Sequence, residues 1–177
     1  MPPKNAVAAI TAISSLNIEE EKIKAAVADF KGVKRRFEYI IKTEELVFID
    51  DYAHHPEELR ALISGAKSLF NDKKCIVIFQ PHLYARTRDL ADGFAEVLDM
   101  ADEVILLPIY PARELPIAGV SSQMILDKMK NKNKRVFDKE ELKSWIRKDF
   151  KKQGKVLVTA GAGDIDLLVE PIKEILK

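Results

Sequence analysis

Five short apolar runs constrain this chain more than any other feature. They are Leu46-Val47-Phe48-Ile49, Cys75-Ile76-Val77-Ile78-Phe79, Val104-Ile105-Leu106-Leu107, the weaker Arg135-Val136-Phe137, and Val156-Leu157-Val158. Each is short and apolar at consecutive positions, so both of its faces need cover. That is the pattern of strands in a parallel sheet with helices on either side. Amphipathic stretches separate the runs, with stripes at Leu59, Leu62, Ile63, Ala66 and Leu69, then at Leu90, Phe94, Val97 and Leu98. Further stripes follow at Ile125 and Met129, at Leu142, Trp145 and Ile146, and at Ile165, Leu168, Val169, Ile172 and Ile175. Strand–helix alternation of this kind over 46–177 implies an α/β fold: a Rossmann-like open, mostly parallel sheet, helices on both faces, right-handed crossovers.

Residues 1–42 read as a lead-in to that core. Asn5–Leu16 is Ala-rich and helix-prone. A second helix is expected with Asn17 as N-cap, Glu20 close to a capping box, and a stripe of Ile23, Ala26, Val27 and Phe30 ended by Gly32. Phe37, Tyr39 and Ile41 alternate with polar residues, which predicts a half-buried strand, and Thr43-Glu44-Glu45 would turn it into a hairpin. No linker divides the sequence, so 1–177 reads as a single domain.

Composition narrows the function classes. The 177 residues are 47% hydrophobic and 32% charged, which suits a packed core in water. Against 29 basic residues stand 28 acidic ones, a net charge of +1, with no electrostatic footprint for nucleic acid or an anionic membrane. One cysteine allows neither an internal disulfide nor a cysteine zinc cluster. No apolar run approaches the ~18 residues of a membrane helix, and Met1-Pro2-Pro3-Lys4-Asn5 has no apolar signal core. A cytoplasmic protein is expected.

In an open parallel sheet, ligands bind beyond the carboxyl ends of the strands. The segments after the runs are Asp50-Asp51-Tyr52-Ala53-His54-His55-Pro56, Gln80-Pro81-His82-Leu83-Tyr84-Ala85-Arg86-Thr87, Pro108-Ile109-Tyr110-Pro111-Ala112-Arg113-Glu114 and Thr159-Ala160-Gly161-Ala162-Gly163-Asp164. All three histidines of the chain lie in them. The remaining segment, Asp138-Lys139-Glu140, reads as an ordinary helix N-cap. Asp51 could equally cap the helix starting near Pro56. Adjacent His54 and His55 diverge, and no third ligand is spaced to join them, so no metal site is expected. Arg86 near a helix N-terminus opposes the helix dipole, which points to anion recognition. Gly161-Ala162-Gly163 lacks the third glycine of a dinucleotide fingerprint; the glycines instead allow a tight turn and close backbone approach. Cys75, inside an apolar run, reads as a core residue.

Together these segments, with Phe30-Lys31-Gly32-Val33 and Arg35-Arg36-Phe37-Glu38, resemble the Mur ligase family. The similarity is to the C-terminal domain of its UDP-N-acetylmuramate–L-alanine ligases. Asn5-Ala6-Val7-Ala8-Ala9 resembles the tail of the family's central ATPase domain, and no Gly-x-x-x-x-Gly-Lys-Ser/Thr loop occurs in these 177 residues. The resemblance implies ATP-dependent joining of L-alanine to UDP-N-acetylmuramate through an acyl phosphate, in peptidoglycan precursor synthesis. It implies ATP with Mg2+, whose ligands come mostly from the central domain. It also implies the central and N-terminal domains as partners, and a piece inactive alone. By the same resemblance, Arg36, Asp51 and His54 would face the nucleotide. His82 and Arg86 would hold the amino acid, with Tyr110 and Glu114 at the pocket edge. Leu83 stands where the family often has Arg. The rival readings are the ligase that recycles a preformed peptide onto the same sugar, and a non-catalytic nucleotide-binding α/β module in which Asp51 could be a phosphoacceptor.

Overall fold

The computed structural model describes residues 3–16, 18–30 and 32–177. The chain divides into two compact units, Met1–Lys34 and Arg35–Lys177. The first holds helices α1 (Pro3–Ser14) and α2 (Glu20–Asp29). Ile23 of the expected stripe is buried, while Val27 and Phe30 are about half exposed. Asn17 lies outside the described residues. Glu19 occupies the N-cap position of α2 without a side-chain cap, and the helix stops at Asp29 because Phe30 turns extended. Gly32, with φ +94°, therefore lies beyond the end of the helix and does not close it.

The second unit contains β1 (Glu38–Lys42), β2 (Leu46–Asp51), α3 (Pro56–Leu69), β3 (Lys74–Phe79), α4 (Tyr84–Asp89), α5 (Ala91–Leu98) and β4 (Glu103–Leu106). Then follow α6 (Ser122–Lys128), β5 (Lys134–Val136), α7 (Lys139–Lys148), β6 (Lys155–Ala160), a 3₁₀ turn (Asp164–Leu168) and α8 (Val169–Leu176). The six strands lie in the order β1-β2-β6-β3-β4-β5. Only β1 is antiparallel, paired with β2 in the expected hairpin. That strand, grouped with the lead-in from sequence, is thus a member of the sheet.

Each apolar run splits by parity between two cores, as two-sided burial requires. Val47, Ile49, Val77, Phe79, Val104, Leu106, Val156 and Val158 face α3, α5 and α6. Leu46, Phe48, Ile76, Ile78, Ile105 and Leu157 face α7, the 3₁₀ turn and α8. Cys75 is buried in the first core, and burial pushes its thiol up to about 12, so it is a packing residue.

The register sets the position of the loops. Asp51 pairs with Ala160, Ala160 with Phe79, and Phe79 with Leu106. Four strands therefore end in one row, and their loops emerge side by side.

Phe94 of α5 is fully buried, with its ring centroid 5.3 Å from that of Phe79. Phe94→Ala is expected to destabilise the fold by about 3–5 kcal/mol in urea unfolding, through lost transfer energy and a residual cavity.

Candidate active site

The first wall of the sheet edge is built around buried Asp50. Its Oδ1 accepts from Thr159 Oγ1 at 2.7 Å and its Oδ2 from Arg35 Nε at 3.2 Å. Arg35 also donates to the Gly161 carbonyl at 2.6 Å and lies over the Tyr52 ring, 5.1 Å from its centroid. Burial raises the Asp50 carboxyl above its ordinary range, and the bonds from Thr159 and Arg35 pull against that rise. The next residue, Asp51, accepts the backbone N–H of Phe37 at 2.7 Å and of Ala53 at 2.8 Å. Burial raises it too, opposed by those two N–H groups and by the Arg36 charge. Arg36 is exposed and makes no hydrogen bond or ion pair among the described residues, so its guanidinium remains open to a ligand.

Asp51 does not cap α3. His55 does, accepting from Glu57 N, while Glu58 returns a bond to His55 N at 3.1 Å. Pro56 takes the first helical position, as expected. Glu58 also accepts from His54 N at 2.9 Å, and His54 Nδ1 sits 3.0 Å from the Tyr52 carbonyl. The two histidines thus have separate tasks. Among the described residues, no group of three or more His, Cys, Asp or Glu could hold a metal ion.

The second wall joins the loops after β3 and β4. His82 and Tyr110 pair in a single parallel bridge. Their rings stack, with centroids 5.7 Å apart and planes 21° apart. The His54 ring meets His82 edge-on at 6.3 Å. Arg86 Nη1 lies 3.5 Å from His82 Nδ1. Burial lowers the His82 pKa below its ordinary 6.5, and the Arg86 charge and His54 push the same way. Glu114 accepts from Ala85 N at 3.1 Å and so caps α4 from a neighbouring loop. Leu83, at the N-cap of α4, has φ +72° and ψ 134°. Its carbonyl accepts from Thr87 Oγ1 at 2.8 Å, and its N–H donates to the Tyr110 carbonyl at 2.9 Å.

The glycine turn after β6 closes the floor. Gly161 has φ +150°, and a Cβ there would stand 2.9 Å from the Gln80 carbonyl oxygen. The site therefore needs the close backbone approach expected from the sequence.

His54, His82, Arg86 and Tyr110 form one continuous group, with Glu114 beside it. Arg36 and Asp51 lie along the β1–β2 part of the same edge, linked to His54 through Tyr52. Sequence reasoning did not single out Arg35, Tyr52 or the Gln80 side chain as site residues. Arg35 and Arg36 are adjacent and identical in type, so no local signal separates the anchored one from the open one.

The depressed His82 pKa has a stability consequence. Well above 6.5 the ring is neutral both folded and unfolded. As pH falls, the unfolded chain takes the proton first, and stability declines until the folded midpoint is passed. Urea unfolding between about pH 7.5 and pH 5 should therefore lose less stability in His82→Gln than in the parent chain.

Residues 35–163 match the family model described as Mur ligase, glutamate ligase domain. The UDP-N-acetylmuramate–L-alanine ligase of Parabacteroides distasonis is 52% identical over 176 residues, covering 98% of this chain and 37% of that protein. That of Flavobacterium johnsoniae is 46% identical over 172 residues, covering 97% of this chain and 38% of that protein. The crystal structure of the UDP-N-acetylmuramate-alanine ligase of Thermotoga maritima has a TM-score of 0.77 at 32% identity, covering 96% of this chain and 36% of that one. The chain thus spans little more than a third of the length of these relatives. The matched segment holds all six strands of the sheet, and the chain belongs to the Mur ligase, glutamate ligase domain family.

Proposed function

We propose that the chain is the C-terminal, amino-acid-binding domain of a UDP-N-acetylmuramate–L-alanine ligase. The observation that carries this reading is the convergence of His82, Arg86 and Tyr110 on one sheet edge. It is supported by the 46–52% identity to enzymes of that name.

The reaction needs activation because a carboxylate is a poor acyl donor. Attack of the muramyl carboxylate on ATP gives an acyl phosphate and ADP. The alanine amine then adds to the carbonyl, the tetrahedral intermediate collapses, and inorganic phosphate leaves with loss of a proton from nitrogen. Such chemistry depends on positioning and charge neutralisation. In this reading Arg86 pairs with the alanine carboxylate, in the bidentate way a guanidinium favours. His82, kept neutral at pH 7 by burial and by Arg86, adds a hydrogen-bonding group without adding charge. Tyr110 fixes the plane of that ring, and Glu114 holds the start of α4, so both shape the pocket edge. On the other wall Arg36 faces the nucleotide phosphates or ribose, Asp51 the ribose hydroxyls, and His54 lies between nucleotide and amino acid. In this reading the magnesium bound to ATP is held mostly by the central domain, and the domain acts in the cytoplasm beside its central and N-terminal partners.

The chain can be tested in place of the matched 37% of the Parabacteroides distasonis ligase. The chimera should release phosphate only when UDP-N-acetylmuramate, ATP and L-alanine are all present. Release that depends on a preformed peptide instead would favour the recycling reaction. A folded chimera inactive with both would sink the ligase reading. The 177-residue chain alone should show no turnover with these substrates. Within an active chimera, Arg86→Ala should raise the KM for L-alanine by about tenfold or more, the worth of one charge-assisted contact, with the circular dichroism spectrum unchanged. Arg36→Ala should raise the KM for ATP and spare that for alanine.

A further inference from the structure

The turn after β5 stands apart from the other four in sequence, and Asp138 does cap α7 there. Its neighbour Lys139 is less easily explained. It occupies the first position of a helix, where the dipole disfavours a cation. Its ammonium reaches Asp164 Oδ2 at 2.5 Å. The other Asp164 oxygen accepts from Gln80 Nε2 at 2.8 Å. Gln80 Oε1 in turn accepts from Ile165 N at 2.9 Å. Gln80 is only 3% exposed, so water cannot replace either of its partners. Burial acts to raise the Asp164 carboxyl, but Lys139 and Gln80 overcome it and leave the group below its ordinary range.

These bonds close around Gly163. A Cβ at Gly163 would stand 2.6 Å from Gln80 Oε1 and 2.6 Å from Tyr110 Cβ. The glycine backbone therefore lies directly against Tyr110, whose ring stacks on His82.

We infer that Lys139, Asp164 and Gln80 form a polar latch that sets the position of the Tyr110–His82 pair. All three are positioning residues. The latch holds the turn over 161–165 against Tyr110, which keeps the His82 ring covered. When the latch opens, the turn is free to retreat, Tyr110 loses its backing, and the half-buried His82 ring gains hydration. The segment after β5 is thereby joined to the edge built by the other four. The geometric claim is independent of the ligase proposal; only its effect on alanine binding rests on that reading.

The charged or titratable groups facing His82 are Arg86 on α4, His54 after β2 and Glu114 after β4, with Tyr110 stacked on the ring. This makes the His82 titration a direct readout of cover. The chain has three histidines, so all can be followed by carbon-edited NMR. In Asp164→Ala, loss of a negative charge alone would lower the His82 midpoint. Opening the latch raises it, because hydration returns to the imidazolium. The two causes have opposite signs. We expect a rise of about 0.3 unit or more for His82. A fall, or no change, overturns the latch.

If Asp164→Ala loses its folded spectrum, Asp164→Asn decides with the same signs. It keeps an acceptor for Gln80 and gives up the ion pair with Lys139, so a smaller rise is expected. An unchanged or lowered midpoint again refutes the inference. Lys139→Arg, which preserves the ion pair, should keep the parent midpoint; a shift as large as that of Asp164→Asn would count against it. In the active chimera, Asp164→Asn should raise the KM for L-alanine about threefold to tenfold, with a smaller change for ATP. An inactive parent chimera counts against the ligase reading alone, because the titration is measured without it.

Discussion

The position of β6 between β2 and β3 is the constraint on which the rest of this molecule depends. The last strand in sequence is hydrogen-bonded on both sides, residue for residue, to two strands that precede it by many positions. β2 and β3 are not neighbours in the sheet, and that shared strand is hydrogen-bonded in register to both. With it in place, Asp51, Ala160, Phe79 and Leu106 fall in one row. The loops that follow are then close enough for side chains to meet across strands. Arg35 to Gly161, Gln80 to Asp164 and His82 to Tyr110 are all contacts of this kind. Each joins segments far apart in sequence, so the edge depends on the assembled sheet and not on local structure.

Charge is arranged with the same economy. A chain with a net charge of +1 has no broad field to attract an anion. Its edge distinguishes cations by what surrounds them. Arg35 is fixed by Asp50, Gly161 and Tyr52 and supports the loops. Lys139 is bound to Asp164. Arg36 acts on Asp51 only through its charge, and neither it nor Arg86 forms an ion pair with a carboxylate among the described residues.

The strands and their two-sided burial were legible in sequence because a continuous apolar run has one cheap solution, a covered sheet. The hairpin of β1 and β2 was legible from alternation. What sequence could not give was the identity of the partner at a polar end. Asp51 looked like the cap of α3, yet the cap is His55, because the backbone at Phe37 and Ala53 competes for the Asp51 carboxylate and wins. Gly32 looked like a helix terminator, yet Phe30 had already left helical geometry. The histidines, Arg86 and Tyr110 were found because loops after strands are a small set to search. Lys139 was not, since its partner lies 25 positions on (139 to 164) in the turn after another strand. Short-range rules describe where an element begins; they carry no information about which distant loop will supply a counter-charge.

Among the described residues, the non-glycine residues with positive φ are Arg35, Phe37, Leu83 and Ala112, and all four lie near the carboxyl edge of the sheet. Glycine would relax the backbone at Leu83 and Ala112, whereas at Arg35 and Phe37 it would also strip the bonds to Asp50 and Gly161 and the packing on the first core. These four are also the places that aim Arg36, start α4 ahead of Arg86 and follow Tyr110. Thermal hardiness gained there would be taken from the geometry of the edge, so engineering for endurance should begin in the two cores and leave these four alone.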